Sequence, residues 1–275
     1  TEPALDKLEW EFGPLKNIVE FVVERDVDAL VEEGVDTYSV NGQFPSKIVQ
    51  GTESKDAGFA CAFFDAEHLS QGNQRIIRKL ARVLAETGYQ GLLSTETRTT
   101  LDGKSYLIDP CTRGGFPSLN VWMTMCDNLG EITWEVGHGR MVDPVVRHKY
   151  GIEVILNTDW QLQSHQVVRF PAHLREHVKI KNVIKIDGSY YALNLHGNAE
   201  TGSIVATGNS FGACIEQLRD IIPQVDGYGL SVNAGAIDKA VIEFNKMAPP
   251  RMVSIPPMPL STRAFAPRHA ESTRI

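Results

Sequence analysis

The segment STETRTTLDGKSYLIDPCTRGG, residues 94–115, places Glu96 and Asp109 on either side of an Asp102-Gly103 pair. Asp-Gly between alternating segments is a strong signal for a tight hairpin turn. With those two residues as the turn, Leu101 faces Lys104, and Glu96 faces Asp109 across the ribbon. Directly opposed side chains on one face have Cβ atoms about 5 Å apart. Like charges so placed repel unless a cation joins them. Two cations suit. Arg98, two residues from Glu96 on the same face, would complete a structural Glu–Arg–Asp cluster. A divalent ion would instead take both carboxylates as hard oxygen ligands. Mg²⁺ commonly uses one or two protein carboxylates and fills its shell with phosphate oxygens.

The chain then reads PCTRGGFPS, leading to an expected helix start at Ser118. Arg113, the Gly114-Gly115 backbone and the amides near Ser118 could gather around an anion. A cation site beside an anion site describes a metal–phosphate centre.

Several elements must position these residues. NIVEFVVERD (17–26) is a Val-rich run that reads as a strand. Asn41-Gly42 predicts a second hairpin within 35–51, and GFACAFF (58–64) a buried strand. Residues 70–89 carry Ile76, Ile77, Leu80 and Leu84 at helical spacing, with Gly88 as the stop. SLNVWMTMCDNLG reads as a helix ended by Gly130. After about Asp143 the chain becomes a run of short strands, followed by helices expected over 211–222 and 236–247. Residues 249–275 are Pro-rich and without period, and read as an extended tail.

These residues resemble the ATP-grasp ligases, whose nucleotide site ends with an acidic or amide residue on one strand and Glu-x-Asn-x-Arg on the next. Glu96 holds the first position and DPCTR the second, with Asp109, Cys111 and Arg113 at the motif positions. The pattern is closest to phosphoribosylamine–glycine ligase-like members. FVVERDVDALVEEGVDTYSVNGQFP resembles the family's hinge, which implies Val22 and Val23 at adenine, Glu24 at ribose and Asp36 as a supporting acid. QGTESKDAGF resembles the next loop, which implies Lys55 near phosphate. The likeness covers most of residues 17–247 and implies an α+β fold. The C-terminal portion of an ATP-grasp domain would occupy 1–142, a small mixed α/β domain 143–248, and the tail 249–275. It further implies ATP and Mg²⁺ as cofactors, with Glu96 and Asp109 on the metal and Arg113, with Arg98, on phosphate or acyl phosphate. The activity implied is ligation of a small-molecule carboxylate to an amine or thiol through an acyl phosphate.

Two departures define the alternative, a catalytically inactive binding or assembly protein with the same fold. Cys111 stands where the motif has Asn, and a thiol is a soft, poor Mg²⁺ ligand. The family's glycine-rich lid and triphosphate-gripping lysines have no counterpart in the 275 residues. They would precede Thr1, come from a partner chain or a homo-oligomer, or be lacking.

Other features carry less. HLREH (173–177) fits the H-x-x-E-H zinc pattern, which needs a helix longer than the strand-like residues after it allow. GHGRMVDP (137–144) reads equally as a substrate loop or a plain connection. A net charge of -7 counts against a nucleic-acid partner. Four scattered cysteines without a CxxC pair, no signal peptide and no membrane-length apolar run suggest a reducing, cytoplasmic setting.

Overall fold

Val31–Val40 forms strand β1, and the Asn41-Gly42 pair turns the chain back toward β2, Lys47–Ser54. Both turn residues have positive φ, 52° and 81°, the geometry that favours Asn-Gly in tight hairpins. The coordinates are a computed structural model. They describe residues 11–18, 24–29, 31–54, 58–194 and 200–233, with single positions 8, 20, 22, 235, 238, 241, 242, 244 and 245.

Strand β3 (Gly58–Asp65) pairs with β2, and helix α1 (Gln71–Glu86) follows. Ser70 caps α1, its Oγ accepting the Asn73 N–H at 3.2 Å. Ile76, Ile77 and Leu84 make its buried stripe. Next come β4 (Gln90–Thr99), β5 (Ser105–Cys111), α2 (Ser118–Met125) and α3 (Leu129–Gly137). The second half supplies β6 (Tyr150–Asn157), β7 (Gln166–Val168), β8 (Val178–Ile180), β9 (Val183–Ile186) and β10 (Ser189–Ala192). It ends with β11 (Glu200–Gly208), α4 (Phe211–Ile221) and the short β12, Ser231–Val232.

Among the described residues, one sheet runs in the order β5-β4-β1-β2-β3-β6-β11-β8, with β12 also on β6, and its pairs are antiparallel. β7, β10 and β9 form a second sheet. Helices cover both faces of the large sheet, consistent with an α+β fold. On one face, Val35, Ile48, Ile77, Ile152 and Leu218 share a core under α1 and α4. On the other, Tyr38, Val49, Trp122, Met125 and Ile132 pack under α2 and α3. Trp122 stacks on Tyr38 with ring centroids 5.9 Å apart, an aromatic pair in a dry layer. No helix among the described residues is long and apolar enough to cross a membrane.

Two expectations change. The described residues of 17–26 form no strand. Gly13–Asn17 is a 3₁₀ helix, and Ile18 and Val22 are exposed. A strand needs a ladder partner, and β1 already has β4 on one edge and β2 on the other. The helix from Ser118 stops at Cys126, and Gly130 lies inside the unforeseen α3 instead of ending α2. The large sheet is continuous across the texture change near residue 143, β3 pairing with β6 through Gly58↔Val154 and Cys61↔Gly151. The expected helix over 236–247 and the tail lie largely or wholly outside the described residues.

Candidate functional site

The β4–β5 hairpin brings Glu96 opposite Asp109, by a different route from the simple turn. Its loop is longer by one residue. The Thr100 N–H donates to the Lys104 carbonyl and the Gly103 N–H to the Thr100 carbonyl, both at 2.9 Å. Gly103 takes φ 76°, which a side chain would strain. Thr99 therefore pairs with Ser105, and Thr97 with Leu107. A β-bulge beside Ile108 then absorbs one residue and restores Glu96↔Asp109. The two single-residue deviations cancel at the carboxylates.

Glu96 is half-buried and Asp109 exposed, and both line one cleft with Arg113, Glu32, Asp36 and Phe116. Glu32 and Asp36 reach it because β1 alternates, sending even-numbered residues toward α2 and odd-numbered ones toward α1. Gly34, between them, must be small. A Cβ there would lie 2.2 Å from the Thr95 carbonyl oxygen of β4, the strand that carries Glu96.

The remaining expected residues have definite places. Arg98 is held by Glu32, Nε to Oε2 at 3.1 Å, and by Asp26 at 3.3 Å. Arg113 is exposed and donates to the Gly114 carbonyl at 2.9 Å. The Cys111 Sγ donates to Asp109 Oδ2 at 3.2 Å. Burial, and then the Asp109 carboxylate beside it, push the Cys111 thiol up, so it stays protonated and acts as a donor. Val22 and Glu24 are exposed and are not among the residues that line the cleft. Val23 and Lys55 lie outside the described residues.

The anion cradle expected at Gly115–Ser118 is filled by the protein's own carboxylate. Asp36, only 4% exposed, accepts the Ser118 hydroxyl at 2.6 Å and further bonds from Ser94 and the Gly115 amide. Burial raises its pKa, against these hydrogen bonds and the Arg113 charge. The Leu119 and Asn120 amides are spent on the Gly115 and Pro117 carbonyls, at 2.9 and 3.1 Å. Asp36 thus anchors the loop that carries Arg113. At the tip of that loop, the Lys181 ammonium lies 3.4 Å from the Phe116 ring centroid and pairs with Glu200 at 2.6 Å.

A second buried acid escaped the sequence reading. Glu153 on β6 is 0% exposed, and its Oε1 accepts Asn120 Nδ2 at 3.0 Å. Burial pushes its pKa up to about 8, against hydrogen bonds from Asn120 and Ser203. Its only sequence signal was one acid inside the apolar run YGIEVILN.

The weaker motifs resolve into structure. Ala172–Leu174 is a single 3₁₀ turn, Glu176 pairs with Arg147, and His177 bonds the Val205 carbonyl. His138 bonds the Trp134 carbonyl at 2.7 Å and Arg140 pairs with Glu135, so this segment closes the end of α3. Among the described residues, no group of three or more His, Cys, Asp or Glu is arranged to hold a metal. The Glu96–Asp109 pair still fits Mg²⁺, which needs only one or two carboxylates when phosphates supply the other ligands.

No family model and no curated protein matches the sequence. Solved structures do match the fold. Phosphoribosylamine–glycine ligase from Thermotoga maritima superposes with a TM-score of 0.57 at 15% identity, over 77% of this chain and 55% of that one. The chain has an ATP-grasp fold. The biotin carboxylase domain of a single-chain bacterial carboxylase shares this ATP-grasp likeness at TM-score 0.53 and 13% identity, over 86% of this chain and 57% of that one. The corresponding domain of Hydrogenobacter thermophilus 2-oxoglutarate carboxylase, solved with MgADP and bicarbonate, gives 0.50 at 11% identity, over 72% and 46%. The chain spans about half the length of these structures. At such identities the likeness is one of fold.

Proposed function

We propose that this chain forms part of an ATP- and Mg²⁺-dependent ligase joining a small-molecule carboxylate to an amine or thiol. The observation that carries the reading is Glu96 directly opposite Asp109 at a cleft that also holds Arg113. Bound magnesium nucleotide would supply the phosphoryl group that turns the carboxylate into an acyl phosphate. Glu96 and Asp109 would hold the metal. Arg113, on its Asp36-anchored loop, would offset charge growing on the transferring group. Arg98 would act from the cleft's edge by holding Glu32 in place. The adenine, ribose and phosphate contacts of Val22, Val23, Glu24 and Lys55 belong to this reading through the family resemblance. A partner chain or a second copy would complete the nucleotide site, and the protein would work in the cytoplasm.

Isothermal titration with MgATP and MgADP tests it. Saturable binding is expected, and Asp109→Asn or Glu96→Gln should weaken it at least tenfold, since each removes a charged ligand (about 1.4 kcal/mol per tenfold). Cys111→Asn, which restores the motif's hard donor, is expected to tighten binding. Absence of saturable binding in the wild type would sink the proposal.

The Cys111 thiol on Asp109 favours a second reading, in which the fold binds nucleotide without turning it over. Saturable binding that Cys111→Asn leaves unchanged, with no phosphate release from ATP, would support it.

A further inference from the structure

A second hollow lies at the far ends of two strands that reach the cleft. β2 and β3 line the cleft with Gly51, Glu53 and Phe59. At their other ends Lys47 pairs with Asp65 across the ladder, beside a separate cavity of about 550 Å³. Lys47 and Glu53 sit about 20 Å apart along β2 at the rise of an extended strand, so the hollow and the cleft are different sites. Phe63, Phe64 and Val146 wall the hollow, and Lys47, Lys149, His68 and Asp65 supply its polar groups. Small-molecule sites have volumes of roughly 300–1,000 Å³ and this same lining, apolar and aromatic walls with a few polar groups. The alternation of β3 sends Phe63 to the core under α2 and Phe64 to the core under α1. The hollow thus meets both layers at the end of the sheet. The Phe63 N–H donates to the Lys149 carbonyl at 2.9 Å, which holds the segment before β6 against β3.

The charges in the hollow do not cancel. Lys47 Nζ pairs with Asp65 Oδ1 at 2.9 Å, and His68 Nδ1 lies 3.4 Å from Asp65 Oδ2. Asp65 is the one carboxylate in the lining. Lys149 is half-buried and has no carboxylate partner among the described residues, and its Nζ lies 5.5 Å from the Tyr150 ring centroid. The acids near by in the fold are committed elsewhere. Asp143 Oδ1 accepts the Ser46 N–H at 2.7 Å, and Asp127 and Glu176 both pair with Arg147. With His68 neutral, two lysines against one aspartate leave a single positive charge, on a chain whose net charge is -7.

We propose that this hollow binds a small aromatic monocarboxylate, with its ring against Phe63, Phe64 and Val146 and its carboxylate at Lys149 and Lys47. One negative charge matches the one uncompensated cation, and a phosphate, with more charge and no apolar body, matches neither the balance nor the walls. Aromatic rings pair favourably with phenylalanine side chains. A bound carboxylate would tie the β2–β3 ends to the segment that leads into β6. This inference does not rest on the ligase reading, and either can fail alone.

Isothermal titration of the 275-residue chain with naphthoate tests it. Saturable binding is expected. Naphthylmethanol, the same ring without the charge, should bind at least tenfold more weakly, and inorganic phosphate should not displace naphthoate. Lys149→Met should weaken naphthoate binding at least fivefold, and Lys149→Arg should keep it. A crystal soaked in bromonaphthoate should show an anomalous bromine peak in the hollow beside Phe63 and Lys149. The proposal is overturned by a wild type without saturable binding, by equal affinity for the alcohol, by displacement with phosphate, by binding that Lys149→Met leaves unchanged, or by bromine elsewhere only. The titrations and the soak on the wild type decide the matter even where a variant fails to fold.

Discussion

Replacing Glu153 with Gln is expected to stabilise the protein at pH 8.5 by on the order of 4 kcal/mol, and to change little near pH 4. Glu153 is wholly buried on β6, and burial lifts its pKa from 4.5 to about 8. Across that window the folded state keeps a proton that the unfolded state has released. Stability therefore falls as pH rises, by up to about 1.4 kcal/mol per pH unit. The contribution is fully present below pH 4.5 and is lost as pH climbs through about 8. Asn120 and Ser203 bond the carboxyl, and Glu200 and Lys179 act on it with opposite signs, but burial is the largest influence. Gln copies the neutral acid in shape and can still accept from Asn120, without a proton to lose. Urea unfolding of both proteins at several pH values between 4 and 9 checks it. The wild type should lose stability relative to the variant only above pH 4.5. A wild type equal to the variant at pH 8.5 would mean that Glu153 ionises in place at no cost.

The candidate site was legible where chemistry is local. Asp102-Gly103 announced a hairpin, and alternation set Glu96 and Asp109 on one face. The bulge beside Ile108 was not legible, since a bulge depends on how two strands settle against each other and not on a turn residue. Asp36 was recognised as an acid worth having. Its partners were hidden, because Ser94, Gly115 and Ser118 meet it only once the sheet and α2 are assembled. The same alternation could have split Glu32 and Glu33 between two faces, one at the cleft and one under α1, but VEEG reads as a charge pair until β1 is extended to Val31. Gly130 misled for a physical reason. Glycine is common just past a helix end, yet Gly130 sits in the first turn of α3, where its cost is smaller than the gain from burying Ile132 and Val136. The joining of β3 to β6 across the expected domain boundary is a pairing of residues about a hundred positions apart, and no local pattern encodes it.

Removing the carboxylate that anchors the Arg113 loop should have the second large effect. Asp36→Ala is expected to cost roughly 3–5 kcal/mol, because it leaves the Ser118 and Ser94 hydroxyls and the Gly115 amide without their acceptor. Asp36→Asn should cost only about 1 kcal/mol at neutral pH, since an amide oxygen still accepts and the hydroxyls can rotate. The pH dependence runs the same way as for Glu153. Burial raises the Asp36 pKa above 3.8, so the native state holds its proton longer, and the wild type loses ground to Asp36→Asn as pH rises through that range. Trypsin separates loop release from general unfolding. With the anchor gone, cleavage after Arg113 should accelerate more than cleavage at Arg98, which Glu32 and Asp26 still hold in the β4 ladder. Equal acceleration at both sites would show that Asp36 supports the sheet as a whole and not the loop. A faster cut at Arg113 alone would tie this buried acid to the residue best placed to meet an anion in the cleft.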